Sequence, residues 1–82
     1  MLRAIFEAMN VLLFGLIAEK AGTDQVQVVV TSVRELRMAL EQRIPELSVL
    51  SHAIAVDRII VHQDMPLTGN EEIAVLPPFA GG

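Results

Sequence analysis

One segment of this chain fixes both of its own ends and constrains what can be built around it. Ser32 is followed three residues later by Glu35, the S-x-x-E spacing of a capping box that supplies partners to the unpaired donors of a helix start. Val33, Leu36, Leu40 and Ile44 then recur at helical spacing, with Ala39 beside them. Arg34, Arg37, Glu41 and Gln42 fall largely outside that stripe. Pro45 stops the helix, because the residue before a proline is driven out of the helical region. A helix with a single apolar stripe must bury it against a second layer, so the rest of the chain has to supply that layer.

The flanking segments supply β structure. Residues 9–14 are an apolar, β-rich run that ends at Gly15, and residues 16–21 predict a short helix with Gly22 as its C-terminal stop. Residues 25–30 set Val26, Val28 and Val30 against Gln25, Gln27 and Val29, a strand with one strongly apolar face. The turn around Gly22-Thr23-Asp24 predicts a hairpin-like return between these two strands. After the long helix, residues 46–51 suit a short helical turn. Residues 54–56 and 59–61 are short β segments about a turn at Asp57-Arg58. A loop with Pro66 and Thr68-Gly69-Asn70 leads to a last strand over 72–76, which Pro77-Pro78 ends because proline cannot donate to a ladder. The expected class is α+β: a mixed sheet with one main helix packed across it, an order compatible with a β-grasp fold.

The 82 residues make one domain, which buries roughly 60–65% of the surface of its unfolded chain and leaves little room for a deep cleft. At 52% hydrophobic, some apolar side chains must stay on the surface, either as ordinary surface or as a partner-binding patch. A net charge of −4 and only three aromatics, all Phe, give no basic stripe with stacking rings, so nucleic acid is not an expected partner. An acidic chain suits a basic docking surface. Absence of Cys excludes disulfides, thiolate metal sites and cysteine nucleophiles. The longest apolar run, 11–18, is too short to span a bilayer, and residues 1–8 lack the apolar region of a signal peptide, so no membrane association and a cytoplasmic location are expected. Residues 1–8 are an N-terminal extension or an alternative start, 9–78 the folded domain, and 79–82 a flexible tail.

The tail carries the chemistry. Gly81-Gly82 has no side chains and can enter a narrow channel that any Cβ would block. The only reactive group at such a tip is the carboxylate of Gly82. A free carboxylate is a poor acyl donor and must be activated; adenylation by ATP supplies a leaving group, after which sulfur gives a thiocarboxylate and an amine an amide. The general base and oxyanion donors then belong to partner enzymes. Two glycines also end chains that merely fray; here they follow a Pro-Pro step directly after a predicted core strand.

Ile73-Ala74-Val75-Leu76-Pro77-Pro78-Phe79-Ala80-Gly81-Gly82 resembles the terminus of molybdopterin-synthase small subunits of the MoaD type, in the ubiquitin-like β-grasp superfamily. Pro66-Leu67-Thr68 and Gly69-Asn70-Glu71-Glu72 resemble that family's loop into the last strand. Ala55-Val56-Asp57, Met9-Asn10-Val11-Leu12-Leu13-Phe14-Gly15 and Ala21-Gly22 are similar to its turn, opening strand and first loop. The resemblance covers about residues 9–82. Gly69-Asn70 replaces the usual D-G-D-E wording, but Asn tolerates left-handed backbone angles, so the turn can survive, and Phe79 stands where a smaller aliphatic is commoner.

The resemblance implies a sulfur carrier. An E1-like adenylyltransferase would use ATP to activate Gly82, and a sulfurtransferase would supply sulfur. Phe79, Ala80, Gly81 and Gly82 would insert into the large synthase subunit and donate the sulfur to a pterin precursor during molybdenum cofactor synthesis. A heterotetramer about a large-subunit dimer is implied, with no catalysis by the carrier alone and no cofactor bound by it. Phe14, Pro77 and Pro78 are the candidate partner contacts, Phe14 being equally suited to the core. The alternatives are a thiamine-pathway sulfur carrier, a ubiquitin-like protein modifier, or an interaction module with an inert tail.

Three other groups fit the bland role better. His52 and His62 have no Cys or paired carboxylates at ligand spacing, so no metal site is expected. Glu71-Glu72 suits a solvated turn rather than a catalytic pair. Met38 is expected in core or edge packing.

Overall fold

The computed structural model describes residues 8–77. The elements run β1 (Met9–Leu13), α1 (Gly15–Ala21), β2 (Gln25–Val28), α2 (Val33–Arg43), a 3₁₀ turn (Pro45–Val49), β3 (Ala53–Val56), β4 (Ile59–Val61) and β5 (Ile73–Leu76). They form one five-stranded sheet in the order β2-β1-β5-β3-β4. β1 and β5 are parallel, with Val11 opposite Ile73, and every other pair is antiparallel. The last strand in the chain thus lies in the middle of the sheet, held on both edges. This is the β-grasp arrangement that the sequence predicts.

The core lies between the sheet and α2. Val33, Leu36, Leu40 and Ile44, the expected stripe, are all buried against Met9, Val11 and Leu13 of β1, Val28, Ile54, Val56, Ile73 and Val75. Ile17 of α1 and Leu47 of the 3₁₀ turn close its ends. No polar side chain is buried among the described residues.

The capping box forms, with one difference. Ser32 Oγ accepts the Glu35 N–H at 3.1 Å, but the Glu35 carboxylate reaches past Ser32 to accept from Thr31 N–H at 2.8 Å and Thr31 Oγ1 at 2.9 Å. Those bonds, the one to the Thr31 backbone first, lower the Glu35 pKa. A third cap comes from afar: Asp64 Oδ1 accepts the Arg34 N–H at 2.9 Å. Carboxylates near a helix N-terminus also favour the helix dipole.

Several boundaries differ from expectation, two of them because the backbone finds another partner; β1 also ends at Leu13 rather than at Phe14, and β3 begins at Ala53 rather than at Ile54. β2 ends at Val28, because residues 31–33 turn to pair with 65–67: Leu67 N–H donates to Thr31 O, and Val33 N–H to Met65 O, both at 2.9 Å. β5 begins at Ile73 because Glu72 bonds to the β3–β4 turn instead, donating its N–H to Asp57 Oδ1 and accepting the Asp57 N–H at its carbonyl. Pro45 not only stops α2 but opens the 3₁₀ turn, which ends at Val49 rather than at residue 51. α1 starts one residue early, at Gly15.

Two turns decide where β5 is delivered. Asp57 and Arg58 both have positive φ, 52° and 71°, the geometry of a two-residue hairpin whose twist matches its strands. In the loop before β5, Gly69 takes the positive φ, at +109°. Glu71 holds that loop shut. Its carboxylate accepts from Thr68 N–H at 2.9 Å, Thr68 Oγ1 at 3.1 Å and Gly69 N–H at 3.0 Å. These bonds, led by the one to the Thr68 backbone, hold Glu71 below the usual carboxylate range. A lowered folded-state pKa means the loop's support is complete above the unfolded-state pKa and is lost as pH falls through the folded one. The Thr68 amide shift in nuclear magnetic resonance should therefore titrate with an inflection below about 4.3, the ordinary glutamate value. Glu71→Gln should abolish that inflection; an inflection at the ordinary value would refute the role.

Candidate functional site

The parallel pairing of β1 with β5 decides where the chain leaves the sheet. Parallel strands end on the same side, so the β1 terminus, Leu13-Phe14-Gly15, lies beside the β5 terminus, Leu76-Pro77. The Phe14 N–H extends the ladder by donating to the Val75 carbonyl at 3.2 Å. Gly15 then packs so closely on Pro77 that a Cβ built on it would stand 3.1 Å from Pro77 Cγ. Phe14 and Pro77, two of the residues expected to meet a partner, are thus neighbours. Pro78, Phe79, Ala80, Gly81 and Gly82 lie outside the described residues, as do residues 1–7.

A second feature surrounds this exit. In β1 the odd-numbered residues Met9, Val11 and Leu13 face the core. Asn10 and Leu12 therefore face the opposite side. Phe14 continues the alternation, since its backbone is still extended at φ −128° and ψ 154°. Ladder register carries that outer face across the sheet. Leu12 pairs with Ala74, Ala74 with Ala55, and Ala55 with Ile60. One step along, Leu76 pairs with Ala53, and the same register brings Phe14 beside Leu76. None of these residues belongs to the core cluster under α2, and even the buried Ala55 stands apart from it.

The outer face is therefore apolar in two adjacent rows, and Phe14, 45% exposed, stands at the exit end with Leu16, 46% exposed, just beyond it. Polar residues rim it on β2, where Gln25 pairs with Leu12 and Gln27 with Asn10. An apolar patch with a polar rim is the anatomy of a protein interface. Of the two possibilities for Phe14, the structure selects the surface. Sequence reasoning did not single out Leu12, Gly15 and Leu76, which the structure places beside the β5 exit. The available signal was that 11–14 and 73–76 are apolar at every position, which marks strands covered on both faces.

The remaining candidates fall elsewhere. Met38 is 56% exposed on the outer side of α2, so it is neither core nor edge packing; it sits two residues from both Leu36 and Leu40, about 160° around the helix from each. His52 Nδ1 lies 2.7 Å from the Leu50 carbonyl, and His62 is exposed. Among the described residues no three His, Cys, Asp or Glu side chains group as metal ligands would. No described helix is long and apolar enough to cross a membrane. Glu71 closes its loop, and Glu72 pairs with Arg58 at 3.5 Å on the surface, a contact worth little in water.

Residues 11–82 match the ThiS family. No curated protein sequence matches the chain. Among solved structures, the chain is similar to SAMP1, a small archaeal modifier protein, from Haloferax volcanii, at TM-score 0.76 and 25% identity over 92% of this chain and 99% of that one. It is similar to small archaeal modifier protein 1 from Methanosarcina acetivorans at TM-score 0.78 and 22% identity, over 96% of this chain and 100% of that one. It is also similar to a chain in the complex of subunits 1 and 2 of molybdopterin-converting factor from Helicobacter pylori, at TM-score 0.70 and 26% identity over 92% and 99% of the two chains. The match over 11–82, the sheet order and these likenesses agree with the resemblance carried by the sequence: the chain belongs to the ThiS family, with the ubiquitin-like fold of its small sulfur carriers.

Proposed function

We propose that this protein is the sulfur-carrying small subunit of a molybdopterin synthase. The observation that carries the proposal is the placement of the β5 exit: the strand that leads to Gly82 ends against an apolar sheet face with Phe14 at its rim. A partner that grips that face receives the tail at a fixed place. The likeness to a chain of the two-subunit molybdopterin-converting factor supports a large subunit as that partner, in a heterotetramer of two carriers and two large subunits.

In this mechanism the chain supplies an acyl group and no catalysis. An E1-like adenylyltransferase joins the Gly82 carboxylate to AMP from ATP, releasing pyrophosphate. The persulfide sulfur of a sulfurtransferase displaces AMP, and a thiol reductant cleaves the resulting acyl disulfide to leave a Gly82 thiocarboxylate. Phe79, Ala80, Gly81 and Gly82 then enter the large subunit, where sulfur passes to the pterin and water supplies the oxygen that restores the Gly82 carboxylate. Two such transfers build one dithiolene. Pro77 and Pro78 stiffen the base of the tail, as expected of consecutive prolines. The chain binds no cofactor of its own, and all steps occur in the cytoplasm.

The likeness to small archaeal modifier proteins favours a second reading, in which an amine takes the activated Gly82 and an isopeptide bond forms. Intact mass separates the two. After incubation with ATP, the adenylyltransferase and a sulfur donor, the carrier should gain the mass of sulfur replacing oxygen. A Gly81-Gly82 deletion should gain nothing. Lysine conjugates without the sulfur gain would favour the modifier, and no change with an enzyme active on another carrier would sink both. A sulfur gain that passes to thiazole synthase and not to the large synthase subunit would move the carrier to the thiamine pathway.

A further inference from the structure

We propose that Gly15 is a positioning residue: its missing Cβ forms a seat for the Pro77 ring, and that seat sets the direction in which residues 78–82 leave the sheet. The consequence for sulfur loading rests on the carrier function proposed above.

The geometry singles out Gly15. Its φ of +56° is left-handed, and an ideal Cβ would meet Pro77 Cγ at 3.1 Å and Pro77 Cβ and Cδ at 3.7 Å. Contact at 3.1 Å forces something to give by a few tenths of an ångström. β5 cannot give. Val75 is held by the register with Leu13 on one side and Ile54 on the other, and its carbonyl accepts the Phe14 N–H. Leu76 is paired with Ala53. Pro77 is the first residue beyond these restraints, so an added Cβ displaces Pro77 and everything after it.

A displacement at Pro77 grows toward the tip. The five residues from 78 to 82 reach at most about 17 Å when extended, so a 10° tilt at the base carries the tip about 3 Å. Misplacing a reacting atom by about 1 Å can cost on the order of a hundredfold in rate. Capture of the tail by the partner's channel corrects part of that, so the expected loss is about tenfold. The loss falls on kcat, because the substitution moves the tail and leaves the rest of the carrier's surface in place.

The test is a double-mutant cycle on the full chain, with Gly15→Ala, Pro77→Ala and both together, each checked for folding by its amide spectrum. Sulfur loading is followed by intact mass. Gly15→Ala should lower kcat about tenfold with KM unchanged, and on the Pro77→Ala background the same substitution should cost under about twofold. A carbon-edited NOE between Gly15 Hα and the Pro77 ring should be present in the wild type. An unchanged kcat in Gly15→Ala overturns the proposal. So does an equal loss on both backgrounds, which would trace the effect to backbone strain at residue 15, and so does absence of the NOE. If Gly15→Ala does not fold, Pro77→Ala decides, since removing the ring should lower kcat severalfold and an unchanged value overturns the seat. A wild type that takes up no sulfur refutes the carrier function instead, and the NOE then decides the seat alone.

Discussion

Phe14→Ala should weaken binding of the large synthase subunit about thirtyfold or more, while leaving the domain folded. The size follows from what buried aromatic anchors contribute at interfaces, about 2 kcal/mol or more on truncation, and each 1.4 kcal/mol is a factor of ten. Phe14 fits that role by position. It stands at the exit end of the two apolar rows, is 45% exposed in the isolated chain, and adjoins the Gly15–Pro77 contact. Docking on the outer face would cover it together with Leu12 and Leu76. The fold should tolerate the change, because the bonds at this position are the backbone's, the N–H to the Val75 carbonyl and the carbonyl from Ile17 and Ala18 N–H, and alanine keeps them. Titration calorimetry against the large subunit, with a thermal melt of each variant, checks both halves. Unchanged affinity would remove the outer face from the interface. Lost affinity with a collapsed melt would show Phe14 to be structural after all.

What the sequence made legible was governed by local chemistry. The α2 stripe could be read because period, cap and stop coincide on adjacent residues, and Ser32, Leu36, Leu40 and Pro45 all stand where that reading puts them. β2 could be read because Gln25 and Gln27 alternate with valines, and the rim of the outer face is the other side of that alternation. What stayed hidden depends on partners distant in the chain. The Asp64 cap on α2 joins residues thirty positions apart. The end of β2 at Val28 follows from pairing between 31–33 and 65–67, which no local pattern announces. Gly15 looked like the stop of a strand; its contact with Pro77 exists only because β5 runs parallel to β1. Leu12 and Leu76 were visible as apolar residues but not as a surface, since a strand apolar at every position does not say which of its faces a helix covers. The chemistry of the tail was read from residues 77–82, and family membership rests on a match that includes them.

Leu40→Ala and Met38→Ala, two residues apart on one helix, should differ by about 3 kcal/mol in their effect on stability. Leu40 is fully buried at the centre of the α2 stripe, and truncating such a residue removes its transfer free energy and leaves a cavity, costing about 2–5 kcal/mol. Met38 is 56% exposed, and surface substitutions away from caps and networks stay within about 0.5 kcal/mol. The contrast is large against the whole. A domain of 82 residues has roughly 4–12 kcal/mol to lose, so a loss of about 3 kcal/mol in Leu40→Ala removes about a quarter of it or more. For a domain this size about 4–8 °C of melting temperature goes with each kcal/mol, so Leu40→Ala should melt about 12–24 °C lower. Urea unfolding of the two variants beside the wild type gives the numbers, with equal slopes required for the comparison. A Met38→Ala loss as large as that of Leu40→Ala would mean that α2 buries a different face from the one described. The sheet would then be covered in another register, and its outer face would need to be found again.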